Sequence, residues 1–133
     1  MGAPVGSVDL ESELITWLNT KVPDGTVVRD ELDNDLAGEL PTVQVQRFGG
    51  DDDGFRLDRA IVDIDVYAAT RAEAAALSAQ IRGWLMGDLR GSTTTNAVWG
   101  LIQTIGAPGW RPYEDTAVRR YGATYEMYAH PVS

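Results

Sequence analysis

Two hydrophobic periodicities meet in the segment from residue 59 to residue 89. The first part alternates between apolar and other residues as far as Tyr67, which is typical of a β-strand with one buried face. The sequence Thr70-Arg71-Ala72-Glu73 then matches a helix capping box, in which the Thr70 hydroxyl accepts from the Glu73 amide. Apolar residues at three- and four-residue spacing come next. This order predicts a strand, a sharp boundary and a long helix.

The strand predicted over residues 57–67 has one apolar face and one mixed face. The apolar face consists of Ala60, Val62, Ile64 and Val66. The mixed face consists of Ile61, Asp63, Asp65 and Tyr67. We expect the apolar face to meet helices and the mixed face to be hydrated or to lie at a subunit contact. The buried stripe of the second helix is predicted to be Ala74, Leu77, Ile81, Trp84 and Leu85, with a helix end at Gly87 or Gly91.

The same criteria predict the remaining elements. A first helix spans about residues 9–19, with Ser7 or Asp9 as its cap and a stripe of Leu10, Leu14, Trp17 and Leu18. The strands are predicted at residues 26–29, 42–48, 57–67, 97–105 and 117–129. An acidic turn at residues 49–54 joins two of them as a hairpin, and a turn-rich segment at residues 106–112 precedes the last strand.

The order of these elements is helix, three strands, helix and two strands. Hairpin connections predict a mainly antiparallel or mixed sheet of four to five strands. Both apolar helix stripes need a sheet face to cover, so we expect a two-layer α+β fold with two helices on one face. With 133 residues, the chain suits one domain that spans residues 1–133.

The charge composition argues against sequence-specific nucleic-acid binding. The chain has 20 acidic and 11 basic residues, which gives a net charge of −9. Such a surface repels phosphate at long range and offers DNA little counterion release. The charge either keeps the unassembled protein soluble or provides a surface along which nucleic acid passes without binding.

Several kinds of site and segment are missing from the sequence. There is no cysteine, which excludes disulfides, thiol nucleophiles and cysteine-based metal sites. No apolar run approaches the roughly 18 residues of a membrane span. Residues 1–6 have neither the basic nor the apolar region of a signal peptide, so we predict none.

Few residues are candidates for catalysis or metal binding. The single histidine, His130, lies beside a proline near the last residue, where a general base rarely has a fixed position. Residues 51–53 are aspartates that can ligate a cation, but they lack EF-hand spacing, so an exposed acidic turn is favoured. Asp63 and Asp65 can hold Mg²⁺ on one strand face, but no phosphate loop accompanies them, and a solvated face is favoured. We therefore predict no catalytic residue, metal site or cofactor.

The aromatic residues after position 100 have structural interpretations. Trp110 lies in a Pro/Gly-rich segment and is either a plug over the sheet edge or an interface anchor. The aromatic residues of the last strand are most simply core residues. A nucleic-acid stacking platform would need nearby basic groups, and only Arg119 and Arg120 supply them.

Segments spread over most of the chain carry a resemblance to a known family. The strand at residues 58–67 leads through the sequence AATRAEAAAL, residues 68–77, into the second helix. The loop GAPGWRP, residues 106–112, precedes the final strand RRYGATYEMY, residues 119–128. Together with the N-terminal helix, these segments resemble the tail terminator family of long-tailed bacteriophages, which includes small tail-completion proteins.

This resemblance implies a structural virion protein at the head–tail junction, assembled in the host cytoplasm and without catalytic residues. It implies a hexameric ring that caps the tail tube protein, stops tube polymerisation and meets the head connector or neck proteins. DNA would pass through the lumen without specific binding, and no membrane is involved. We expect Asp63 and Asp65 to face the lumen. We expect subunit contacts to use the last strand and the residues Asp51, Asp52, Asp53, Phe55, Arg56, Trp110 and Arg119.

Other assignments remain open at this point. A head-side neck protein of the same particle fits the same sequence pattern. A small soluble ligand-binding α+β domain would instead need an apolar pocket with convergent polar groups. An enzyme would have to rely on carboxylates alone, with Asp63 and Asp65 as its candidates.

Overall fold

A five-stranded sheet with two helices makes up the protein in a computed structural model that describes residues 2–133. The helices are α1 (Leu10–Asn19) and α2 (Arg71–Trp84), and a short π-helical segment, Leu85–Leu89, continues α2. The strands are β1 (Val27–Arg29), β2 (Thr42–Asp52), β3 (Asp58–Ala68), β4 (Ala97–Trp110) and β5 (Arg119–Pro131). Their spatial order is β1-β2-β3-β5-β4; β1 pairs with β2 in parallel, and the other pairs are antiparallel. The predicted α+β class with a mixed sheet is confirmed.

Side chains at the two helix starts explain where the helices begin. The Asp9 carboxylate accepts from the Ser12 amide at 3.1 Å, and the Thr70 hydroxyl accepts from the Glu73 amide at 3.2 Å. Each bond satisfies a backbone donor that has no partner within the first helical turn. The sequence therefore located both helix starts through their caps. The α-helical part of α2 ends at Trp84, and a π-helical turn continues it to Leu89. The helical segment thus passes Gly87 and stops before Gly91, the other predicted end, whose φ angle is +80°.

The core lies between the two helices and the predicted apolar face of β3. The residues of that face, Ala60, Val62, Ile64 and Val66, are at most 2% exposed. Leu14 and Leu18 of α1 and Leu77 and Ile81 of α2 belong to the same buried cluster. Burying each large aliphatic side chain contributes about 1.5–3 kcal/mol relative to exposure. Both helices therefore pack on one face of the sheet, as predicted.

The hairpin between β2 and β3 is longer than the sequence predicts. β2 continues through Gly49 and Gly50 to Asp52, where we expected a turn. The pairing register shifts between Arg47 and Gly50, and Gly50 has a φ angle of +112°. A Cβ atom on Gly50 would lie 1.8 Å from the Arg59 carbonyl oxygen, so glycine is required where the strands approach. The glycines therefore form a bulge within the strand rather than its end.

β4 also extends beyond its predicted end. It reaches Trp110, whereas the prediction ended it at Ile105 and placed a turn-rich segment after that residue. Register shifts around Gly106 and Gly109 keep the irregular segment paired with β5. The glycines and Pro108 that indicated a turn thus lie within an edge strand, where proline and bulges are tolerated.

Short segments cover part of the far face of the sheet. A 3-10 turn, Leu36–Gly38, and the connection before β5 bury Tyr67 against Leu36 and Val118. Tyr67 is 1% exposed and Asp65 is 6% exposed, so the expectation of a hydrated face is wrong at these positions. The strand's own alternation identifies two faces, but it does not show which distant segments pack over them.

Candidate assembly surfaces

The residues predicted to form subunit contacts lie at opposite ends of the sheet. Asp58 at the start of β3 pairs with Ala129, and Ala68 at its end pairs with Arg119. The β2–β3 hairpin tip is therefore at the end away from Arg119 and Trp110. At about 3.4 Å per residue, the length of β3 separates the two ends by roughly 35 Å. The predicted contact residues thus belong to two surfaces rather than one.

Aspartate side chains hold the hairpin tip in a defined conformation. Asp53 Oδ1 accepts from the backbone amides of residues 55, 56 and 57 at 2.8, 3.0 and 3.0 Å. Asp52 Oδ1 accepts from the amide of residue 54 at 2.8 Å. The amide hydrogen bonds, that of Phe55 above all, hold the pKa of Asp53 below its usual range. The tip is therefore an ordered turn whose acidic side chains fix its backbone.

Arg56 ties the hairpin tip to the first and last residues of the fold. Its guanidinium group donates to the carbonyl oxygens of Ala3, Pro131 and Ser133 at 2.7, 2.6 and 2.7 Å. A buried or half-buried guanidinium with several carbonyl acceptors is strongly constrained. Among the predicted contact residues, Arg56 is thus already bound within its own chain.

Phe55 is the most exposed large apolar side chain of the hairpin. It is 76% exposed, compared with 57% for Phe48. Asp51 forms an ion pair within the hairpin, whereas Asp52 and Asp53 accept from backbone amides. The tip therefore presents an exposed aromatic ring in a turn that also carries three aspartates. A large exposed apolar side chain of this kind is a candidate interface anchor.

Trp110 lies at the other end of the sheet among aromatic and cationic groups. The Arg71 guanidinium lies 4.8 Å from the Trp110 ring centroid, and the Tyr121 ring lies 6.2 Å away. Trp110 remains 37% exposed. Arg119 nearby is half-buried, and its guanidinium donates to the Thr116 carbonyl. The tryptophan therefore packs against Arg71 and Tyr121 at the end of β4, and part of its ring remains exposed.

Arg111 covers the two aspartates that we expected to face a lumen. Its Nη1 atom is 2.9 Å from Asp65 Oδ1 and 3.6 Å from Asp63 Oδ1, while Nη2 donates to the Thr124 hydroxyl at 3.2 Å. Burial raises the pKa of Asp65, and the positive charge of Arg111 opposes this effect. The pair is thus partly neutralised within the chain.

The outer edge of β4 exposes apolar side chains. Within the described chain β4 is the last strand on its side of the sheet. Leu101 is 47% exposed and Ile105 is 57% exposed. An open edge with apolar side chains is a template for pairing with another chain. The sequence predicts that sheet edges form contacts, but it does not show that the strand with Leu101 and Ile105 is the edge strand.

A shallow apolar groove beside α2 was also missed by the sequence reasoning. It has a volume of about 580 Å³, and it is lined by Ala75, Ala79, Arg82, Gly83, Met86, Pro108 and Tyr121. Ala75, Ala79 and Gly83 are four positions apart and share one face of α2, so that face has no large side chains at these positions. The spacing of these small residues is visible in the sequence. The other wall of the groove was not predicted, since Pro108 was expected in a turn and not in β4.

Metal-ligand clusters and membrane-spanning helices are both absent from the part of the chain that the structure describes. Among residues 2–133, no group of three or more His, Cys, Asp or Glu side chains is placed to hold a metal ion. Within the same residues, no helix is both long and apolar enough to cross a bilayer.

Comparison with protein families gives a match. The model of the phage tail termination protein family matches residues 6–107, which run from before α1 into β4. No curated protein matches the sequence. The matched family consists of structural proteins of the phage tail and not of enzymes. The match covers more than half of the chain and includes both helices and the β2–β3 hairpin. The chain therefore belongs to the phage tail termination protein family.

Proposed function

We propose that this protein forms a ring that caps the finished tail tube, ends its polymerisation and joins the tail to the head connector. Membership of the phage tail termination protein family supports the position at the end of the tail. The ring is supported by two unlike surfaces at opposite ends of one subunit: the exposed Phe55 side chain and the apolar groove beside α2. Contacts between unlike surfaces are heterologous, and they close into a ring when the rotation between subunits divides a full turn.

The ring has six subunits in this proposal, with the tail tube protein on one face and the head-side connector on the other. The sheet face that carries Asp63 and Asp65 lies on the lumen side, and Asp65 itself is covered by Arg111 and buried. Because Arg111 offsets part of their charge, repulsion of DNA depends on the surplus of 20 acidic over 11 basic residues. Such repulsion lets DNA move through without specific binding.

Growth of tail tubes in the presence of this protein tests the proposal. Tail tube protein alone should give tubes of unlimited length, and added protein should stop growth at ratios well below one per tube subunit. Electron micrographs should show mean tube lengths that fall as the added concentration rises. An unrelated acidic protein of similar charge is the control for electrostatic effects.

Two outcomes of this experiment count against the assignment. Unchanged tube lengths at every ratio, with no protein bound to the tubes, would contradict the capping role. Binding to isolated head connectors without any binding to tail tubes would instead assign the protein to the head side of the neck.

A further inference from the structure

The Phe55 ring projects from a backbone that is already fixed. Its amide donates to Asp53 at 2.8 Å, and its carbonyl accepts from the Val5 amide at 2.6 Å. A preorganised loop loses little conformational freedom when its side chain is buried by a partner. Asp52 and Asp53 belong to the same turn, and their carboxylates accept from backbone amides instead of cations. We refer to Phe55, Asp52 and Asp53 as the knob.

The groove on α2 has the opposite charge character. Arg82 is the charged residue of its lining, and no acidic side chain of the described chain lines it. Arg71, on the same helix, stacks on Trp110 at 4.8 Å. Within residues 2–133, neither arginine forms an ion pair. In a chain of net charge −9, the groove is thus an apolar surface with unpaired positive charge.

The knob and the groove cannot meet within one chain. The knob lies next to Asp58 at the start of β3, which pairs with Ala129. Tyr121 of the groove pairs with Val66, near the other end of β3. The groove volume of about 580 Å³ is ample for an aromatic ring. We propose that the knob of one subunit docks into the groove of a second copy of this chain.

In this contact, the Phe55 ring lies against the small residues Ala79 and Gly83. The carboxylates of the knob face Arg82. Burial of the aromatic ring supplies most of the attraction, because Phe side chains bury about 150–250 Å² and dominate interface energetics. The opposite charges set the orientation and suppress wrong pairings.

The knob-and-groove contact rests on the proposed ring and identifies the surfaces that build it. Each subunit offers one knob and one groove, and the two surfaces differ. The contact is therefore heterologous, and a closed ring leaves no knob or groove unfilled. An open chain would leave one of each at its ends and would continue to grow.

Phe55→Ser and its matched control Phe48→Ser test the knob. Both substitutions remove an exposed phenylalanine from the same hairpin, so the thermal unfolding of the monomer should change little. Phe55→Ser should weaken subunit association at least about 30-fold, as expected for a central aromatic anchor. Phe48→Ser should leave association within about threefold of the wild type. Light scattering over a concentration series measures both.

Ala79→Trp and its control Ala76→Trp test the groove. Both alanines are exposed on α2, but only Ala79 lines the groove. A tryptophan at position 79 fills the space that the Phe55 ring would occupy, so association should be lost. The same substitution at position 76 should leave association intact. Circular dichroism confirms that each variant keeps the fold.

Mixing the two disruptive variants distinguishes unlike from like contacts. The Phe55→Ser subunit keeps its groove, and the Ala79→Trp subunit keeps its knob. Native mass spectrometry of an equimolar mixture should therefore show one-to-one pairs and no rings. Pairs that form within either variant alone would overturn the contact.

The remaining outcomes separate this inference from the proposed function. Rings that persist in both Phe55→Ser and Ala79→Trp, or that are lost equally in the control variants, overturn the knob-and-groove contact and leave the ring in place. A wild-type chain that stays monomeric at every concentration, alone and on tail tubes, overturns both.

Discussion

The buried carboxylate of Glu13 allows a quantitative prediction about what holds α1 in place. Glu13 is 8% exposed. It accepts from the Thr94 hydroxyl at 2.6 Å, the Asn96 amide at 2.8 Å and Asn96 Nδ2 at 3.0 Å. These bonds join α1 to the loop that leads into β4. Two substitutions test this contact. Glu13→Ala removes the acceptor of all these donors, and Glu13→Gln keeps one acceptor oxygen.

The expected magnitude follows from the hydrogen bonds. A hydrogen bond to a charged group contributes about 1.5–3 kcal/mol, but bonds that share one carboxylate do not add. We expect Glu13→Ala to lower the free energy of unfolding by about 3 kcal/mol at pH 7. We expect Glu13→Gln to lower it by about 1.5 kcal/mol, because the amide oxygen still accepts but carries no charge.

The effect of Glu13 should depend on pH. Burial raises the pKa of Glu13, but the hydrogen bonds from Thr94 and Asn96 outweigh burial and hold the pKa below its usual value of 4.5. Because the folded-state pKa is the lower one, the carboxylate stabilises the fold above pH 4.5. This stabilisation is lost as the pH falls through the folded-state pKa. The difference between wild type and Glu13→Gln should therefore narrow on acidification.

Urea unfolding followed by tryptophan fluorescence measures these differences. The titrations are made at pH 7 and at several values below pH 4.5, at a concentration where light scattering shows monomers. Glu31→Gln, a change at an exposed loop residue, is the control and should stay within about 0.5 kcal/mol of wild type. Equal stability of Glu13→Gln and wild type at pH 7, or a difference that stays constant on acidification, would show that the Glu13 carboxylate does not stabilise the fold.

Further substitutions test the close approaches in the sheet and the core. Gly50→Ala should lower the melting temperature more than Gly49→Ala, because only at residue 50 would the new methyl group overlap the Arg59 carbonyl. Gly122→Ala should also lower it, since a Cβ atom there would lie 2.0 Å from a carboxylate oxygen. Tyr125→Phe should be neutral or stabilising by up to about 1 kcal/mol, because the buried hydroxyl has no hydrogen-bond partner among the described residues. If Tyr125→Phe lowers the free energy of unfolding by more than about 1 kcal/mol, the Tyr125 hydroxyl has a hydrogen-bond partner after all.

The elements that the sequence predicted well are those with strong local signals. β3 and α2 follow from two clean periodicities, and Thr70 marks the boundary between them through its bond to the Glu73 amide. Strand ends were predicted less well, because Gly50 and Pro108 indicate turns in a sequence but lie in bulged strands here. Local residue preferences do not show whether a neighbouring strand keeps such a segment paired.

The candidate assembly surfaces were predictable only in part. Phe55 and Trp110 were among the expected contact residues, and both side chains are exposed. The roles of Glu13 and Arg111 were missed, because their partners lie far away in the sequence. The groove was missed for the same reason. It needs α2 and the end of β4 together, and only the fold brings them side by side.

Electron microscopy of the purified protein mixed with isolated tail tubes shows directly whether the protein forms a capping ring. The free protein should form rings with a central hole, and one such ring should lie at a single end of each tube. Phe55→Ser protein, imaged under the same conditions, should leave the tube ends bare. Wild-type protein that gives only monomers, together with tubes whose two ends are both uncapped, would contradict both the ring and its capping role.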